Sequence, residues 1–148
     1  MTNQILRAAL FDMDDTLIDR RAAYDDVYRV VYDRHEAINS ATSWEDALDY
    51  FWTLSPDNAT VPRDAFIAIQ NKWPGVTGDP DEHYDFYFEH MVKFVRVLPG
   101  AVDFIDWMNE REVNWGIVTN GDQFQLQKAA ATGLEKKTPF VLASKLFG

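Results

Sequence analysis

The chain has 148 residues, a length that suits one domain or one small domain carrying an insertion. Apolar residues make up 47%, enough to bury a core, while the formal net charge of −10 and pI near 4.6 disfavour nucleic acid and anionic membrane surfaces as partners. There is no cysteine, which excludes disulfide frameworks and thiolate metal sites, and no apolar run reaches the roughly 20 residues that span a bilayer.

Met1-Thr2-Asn3-Gln4 lacks the basic-then-apolar pattern of a signal peptide, so the cytoplasm is the expected compartment. Arg7 to Met13 is a short apolar run ending in carboxylates. It reads as a buried parallel strand whose C-terminal end opens into a loop, where open α/β sheets bind ligands. From about Arg20 to Arg96 the pattern is helical. Tyr24, Val27, Val31 and His35 share a face of a first helix. Thr42-Ser43-Trp44-Glu45 reads as a capping box for a second, with Ala47, Leu48, Phe51 and Trp52 apolar. Thr60-Val61-Pro62 sets a third start, ended by Trp73-Pro74-Gly75, and Asp79-Pro80 opens a fourth. The aromatic residues of this stretch read as a packed core, and His83 and His90, seven apart, are too far along a helix to chelate.

Pro99-Gly100 marks a boundary. A helix with Val102, Ile105 and Met108 follows, then a second buried strand over 113–118 and the loop Thr119-Asn120-Gly121. A helix from about Gln123 to Thr132 is capped by Gly133, and a third strand runs from about Phe140 to Ala143. The order predicts an α/β fold with a partial, parallel, Rossmann-like sheet and a helical insertion after its first strand.

Asp12, Asp14 and Asp15 place three carboxylates within four residues at the end of the first strand. Such a cluster is costly unless a cation balances it, and oxygen-rich clusters suit magnesium. In an extended segment Asp12 and Asp14 project to one side, so one can attack phosphorus while the other manages protons.

Phe11-Asp12-Met13-Asp14-Asp15-Thr16-Leu17 resembles the first motif of the haloacid dehalogenase superfamily, phosphatase branch. Ile117-Val118-Thr119-Asn120-Gly121 is similar to the second motif, and the insertion resembles the family's helical cap. The resemblance implies a Rossmann-like core over 1–18 and 98–148 and a cap over 19–97. It implies Asp12 as the nucleophile that forms an aspartyl-phosphate, and Asp14 as the acid/base. Mg²⁺ would be held by an Asp12 carboxylate oxygen and the Asp14 main-chain carbonyl. Thr119 and Asn120 would contact the phosphoryl group, and Thr16 would support the loop. The substrate implied is a small phosphorylated metabolite. A phosphotransferase or mutase using the same aspartyl-phosphate step, and a non-catalytic truncated paralogue acting as an interaction module, are the alternatives. The dehalogenase branch typically lacks the second aspartate, so Asp14 favours phosphoryl chemistry.

The family pattern also contains a third motif with a bridging lysine or arginine, and a fourth with further metal-binding acids. The lysine follows a segment similar to Ala143-Ser144-Lys145-Leu146-Phe147-Gly148 by a few residues. Lys145 is too early in that pattern, and Lys136 and Lys137 read as a basic helix end and loop. The expectation is therefore a truncated chain with weakened metal binding and little or no turnover. Its first strand would have an unpaired edge, through which two copies could form a homodimer.

Overall fold

The computed structural model describes residues 8–55 and 63–147. In chain order these form β1 (Ala9–Phe11), α1 (Arg20–Arg34), α2 (Glu36–Asn39), α3 (Trp44–Thr53), α4 (Asp64–Lys72), α5 (Pro80–Phe94), α6 (Ala101–Glu110), β2 (Trp115–Thr119), α7 (Gln123–Ala131) and β3 (Val141–Ala143). The fold is α/β, as the element order predicts. The chain divides into two compact units: Met1–Ala23 with Val95–Gly148, and Tyr24–Phe94.

In the first unit the three strands form a parallel sheet in the order β1-β2-β3. Phe11 lies opposite Ile117 and Thr119 opposite Ala143, so β2 and β3 end level while β1 ends two residues earlier, at Phe11. Consecutive parallel strands joined by right-handed crossovers put α6 and α7 on the same face. On that face Trp115, Ile117, Thr119 and Ala143 are buried. The Phe11 ring meets Phe104 of α6 edge-on at 5.8 Å, and the Trp115 indole N–H donates to Asn109 Oδ1 at 2.8 Å. The opposite face carries Leu10, Val118 and Leu142, all exposed, with Leu10 at 64%. Gly116 shares that face: a Cβ there would stand 2.2 Å from the Phe140 ring, so only glycine lets the ring lie on the strand.

After β1 the chain winds tightly around one carbonyl. Met13 O accepts from the main-chain N–H groups of Leu17 at 2.9 Å and Ile18 at 3.1 Å, and the Met13, Leu17 and Ile18 side chains are buried. Residues 17–19 then meet the returning chain: Leu98 N donates to Leu17 O, Asp19 N donates to Arg96 O, and Ile18 bridges Val97 antiparallel. The insertion therefore leaves and re-enters the first unit side by side.

In the second unit the aromatic residues form the core that their spacing predicts. Tyr24 stacks on Trp52 at 4.0 Å and Tyr28 on Phe51 at 4.4 Å, while Trp73 meets Phe51 edge-on at 5.8 Å. The Tyr24 hydroxyl donates to Phe51 O at 2.5 Å, and the Trp52 indole N–H donates to Asp25 Oδ1 at 3.1 Å. Two local expectations shift, and a third is not covered. His35 lies outside α1, in extended backbone before the one-turn α2, whose Ile38 supplies the buried residue instead. Ser43, not Thr42, caps α3, with its Oγ accepting from Asp46 N at 3.2 Å. The expected start at Thr60-Val61-Pro62 lies outside the described residues; α4 begins at Asp64.

Candidate functional site

Asp12 follows β1 directly, so the strand fixes its position while its carboxylate reaches solvent. Among the described residues that carboxylate makes no hydrogen bond and no ion pair. Met13, fully buried, separates it from Asp14. Asp15 has a φ of 57°, the left-handed region that Asp and Asn adopt more readily than most residues, and its carboxylate pairs with Arg20 Nε at 3.3 Å.

Asp14 is gripped from α7. Lys128 Nζ lies 2.5 Å from one carboxylate oxygen and 2.6 Å from the other. Gln125 Nε2 donates to the second oxygen at 3.1 Å and to the Asn120 carbonyl at 2.7 Å. Lys128 is only 2% exposed. Its burial pushes the ammonium below the ordinary lysine value, and the charge and hydrogen bonds of Asp14 oppose that push. Arg20 adds to the lowering, and Asp12 opposes it from a distance. A buried cation of this kind needs a partner, and Asp14 is that partner.

Thr119 ends β2, buried at 2% exposure, and in register it stands level with the turn that follows β1. Asn120 is exposed, and its loop is braced by the segment after β3. Ser144 Oγ accepts from Gly121 N at 3.3 Å, and Lys145 N donates to Gly121 O at 2.8 Å. Gly121 has a φ of 137°, and a Cβ on it would meet Gln125 Cγ at 2.7 Å. The glycine thus admits both the turn and the glutamine.

The structure brings Asp12, Asp14, Thr119 and Asn120 to the same end of the sheet. Thr16 differs: it lines a shallow apolar hollow of about 330 Å³ with Phe11, Leu17, Leu98, Pro99, Ala101 and Phe104, and none of the other four candidates reaches it.

Of the lysines weighed from sequence, Lys137 pairs with Asp106 at 2.6 Å, and Lys136 and Lys145 are exposed. The cation at the carboxylates is Lys128, which the sequence reading missed, together with Gln125. A signal was present. Gln125, Lys128 and Ala129 form the inward face of α7, so a lysine and a glutamine stand where helical periodicity calls for apolar residues.

Among the described residues no three acids or histidines converge on a metal site. Among the described residues two oxygens are open at this strand end: the Asp12 carboxylate, which has no partner there, and the Asp14 main-chain carbonyl, which accepts no main-chain hydrogen bond there. That donor set fits a hard cation such as Mg²⁺, which keeps several waters and uses one or two carboxylates.

Residues 6–146 match the family model of haloacid dehalogenase-like hydrolases. No curated protein matches the sequence. Among solved structures, a putative β-phosphoglucomutase from Thermotoga maritima superposes with a TM-score of 0.72 at 16% identity, covering 94% of this chain and 62% of that one. A putative hydrolase of the same family from Bacillus subtilis, bound to magnesium, gives 0.69 at 22% identity, covering 96% and 66%. A defluorinating L-2-haloacid dehalogenase gives 0.66 at 17% identity, covering 98% and 63%. The chain thus spans less than two thirds of the length of each, and at these identities the likeness is one of fold.

Proposed function

The chain belongs to the haloacid dehalogenase-like hydrolase family, and from that premise we propose that it is the nucleophile-bearing part of a Mg²⁺-dependent phosphatase of small phosphorylated metabolites. The observation that carries the reading is the division of labour among three neighbouring acids. Asp15 has Arg20 and Asp14 has Lys128, while Asp12, at the end of β1, pairs with no cation among the described residues.

In the proposed reaction an Asp12 carboxylate oxygen attacks phosphorus. The bond from phosphorus to the leaving alkoxide breaks, and protonated Asp14 gives its proton to that oxygen. Asp12 then carries the phosphoryl group as an acyl phosphate. In the second half Asp14, now a carboxylate, takes a proton from water. The water oxygen attacks phosphorus, the bond to Asp12 breaks, and inorganic phosphate leaves with Asp12 restored. Thr119 and Asn120 donate hydrogen bonds to the phosphoryl oxygens, where charge accumulates. Bound Mg²⁺ supplies neutralisation of that charge. Residues 1–18 and 98–148 serve as the catalytic core and 19–97 as a cap that reads the substrate.

The runner-up within the family is haloacid chemistry. Asp14 speaks against it, because displacement of halide by a carboxylate needs no proton donor for the leaving group, and here a second aspartate stands two residues from Asp12. The test is phosphate release from small phosphomonoesters, set against halide release from 2-haloacids, each with Mg²⁺ and with chelator. The expected result is phosphate release that is slow in this chain, depends on Mg²⁺ and is lost in Asp12→Asn, which removes the nucleophile. Halide release without phosphate release would overturn the reading.

A further inference from the structure

The proposed reaction asks two things of neighbouring carboxylates: Asp12 must be free to attack, and Asp14 must stay where it can activate water. Two side chains, one turn apart on α7, hold Asp14. Lys128 spans both of its oxygens, and Gln125 donates to one of them while its other N–H holds the Asn120 carbonyl. The same pair of residues therefore ties the loop after β1 to the loop after β2.

Three local costs converge on this arrangement. Lys128 is desolvated almost completely. Gln125 is buried at 9% exposure, and among the described residues its amide oxygen has no hydrogen-bond partner. An unmet buried acceptor is destabilising. Gly121 takes a backbone conformation closed to most residues and leaves no room for a Cβ beside Gln125. An apolar pair at 125 and 128 would remove the first two costs. Features that a stability optimum would discard, all focused on one carboxylate, indicate a role in the site.

Resting on the phosphatase reading above, we propose that Lys128 and Gln125 are positioning residues that clamp the Asp14 carboxylate in place for water activation and keep it from competing with Asp12. They touch neither substrate nor phosphorus; they act through Asp14. The clamp predicts a split between the two half-reactions. With an activated donor such as p-nitrophenyl phosphate, the leaving group needs no proton, so phosphorylation of Asp12 does not depend on Asp14. Hydrolysis of the acyl phosphate does.

The experiment follows formation and decay of phospho-Asp12 in single turnover for the wild type, Lys128→Met, Lys128→Arg and Gln125→Leu. Lys128→Met keeps a long side chain and removes the charge. Decay should slow by about 100-fold, the scale of a catalytic group misplaced by an ångström, while formation changes by less than about threefold. Lys128→Arg should restore most of the decay rate. Gln125→Leu, the milder variant if Lys128→Met fails to fold, should slow decay about tenfold, one hydrogen bond's worth. A second readout needs no turnover: ¹³C NMR of aspartate side-chain carboxyls in the metal-free protein. The Asp14 signal should move in Lys128→Met and the Asp12 signal should not. Equal slowing of both half-reactions, an unchanged decay rate, or an Asp14 signal indifferent to Lys128 would overturn the proposal. Absence of phospho-Asp12 in the wild type would sink the phosphatase reading itself, and the two failures are distinguishable.

Discussion

In the helical unit stacked rings are buried together with aliphatic side chains such as Val27, Ile38 and Ile69; in the α/β unit a lysine, a glutamine and Thr119 are buried near a run of three carboxylates. Each unit contains one buried polar atom without a partner among the described residues, Tyr28 Oη in the helical unit and Gln125 Oε1 in the α/β unit. Their settings differ. Tyr28 lies against Tyr24, Phe51 and Tyr87, and burial raises its hydroxyl well above the usual tyrosine value, so it stays neutral and behaves as a large core ring. Gln125 donates to the Asp14 carboxylate and to the Asn120 carbonyl. The helical unit is organised for packing, and the α/β unit accepts local instability to hold charges in place.

The comparison breaks first at the helical core. Phe51, fully buried and in ring contact with Tyr28 and Trp73, should cost about 3–5 kcal/mol when changed to Ala, read by denaturant unfolding. A loss below about 1 kcal/mol would mean that the ring cluster collapses to fill the space, and that packing is not what holds this unit. A smaller effect is expected at the start of α3. Ser43→Ala removes the acceptor for Asp46 N and should cost about 1 kcal/mol in the same measurement.

The smallest effect is a pH dependence in the helical unit. His35 titrates below its ordinary value, first because it is partly buried, then because His83 and Arg34 lie near it. With the folded value depressed, the unfolded chain binds more protons between the two values, so stability rises with pH across that window and falls on acidification through it. Tm should drop between about pH 7.5 and about pH 5, and the drop should shrink in His35→Gln. An identical slope in that variant would assign the effect to other groups.

Much of this architecture is legible in the sequence because its signals are local. The run to Met13, the Pro99-Gly100 boundary and Gly133 after α7 mark elements through short-range physics, and the order of elements then dictates a parallel sheet. Asp12, Asp14 and Thr119 are legible for the same reason: each stands at the end of a strand. The clamp is not. Asp14 and Lys128 are 114 residues apart, and only the β1–β2 register brings α7 against the first loop. The lysines weighed from sequence were those near the expected motif position, whereas Lys128 lies on the buried face of α7. His35 and the Thr42/Ser43 cap show the smaller error, a shift of one residue at helix ends, where backbone geometry decides between adjacent candidates.

The central claim is that Asp12 is the nucleophile. It is tested most directly by incubating the protein with Mg²⁺ and p-nitrophenyl phosphate, trapping the acyl phosphate by borohydride reduction, and locating the reduced residue by peptide mass spectrometry. The account predicts reduction at Asp12, absent in Asp12→Asn and more abundant in Lys128→Met. Reduction at Asp14 or Asp15 in place of Asp12, or none at any aspartate while phosphate is released, would contradict it.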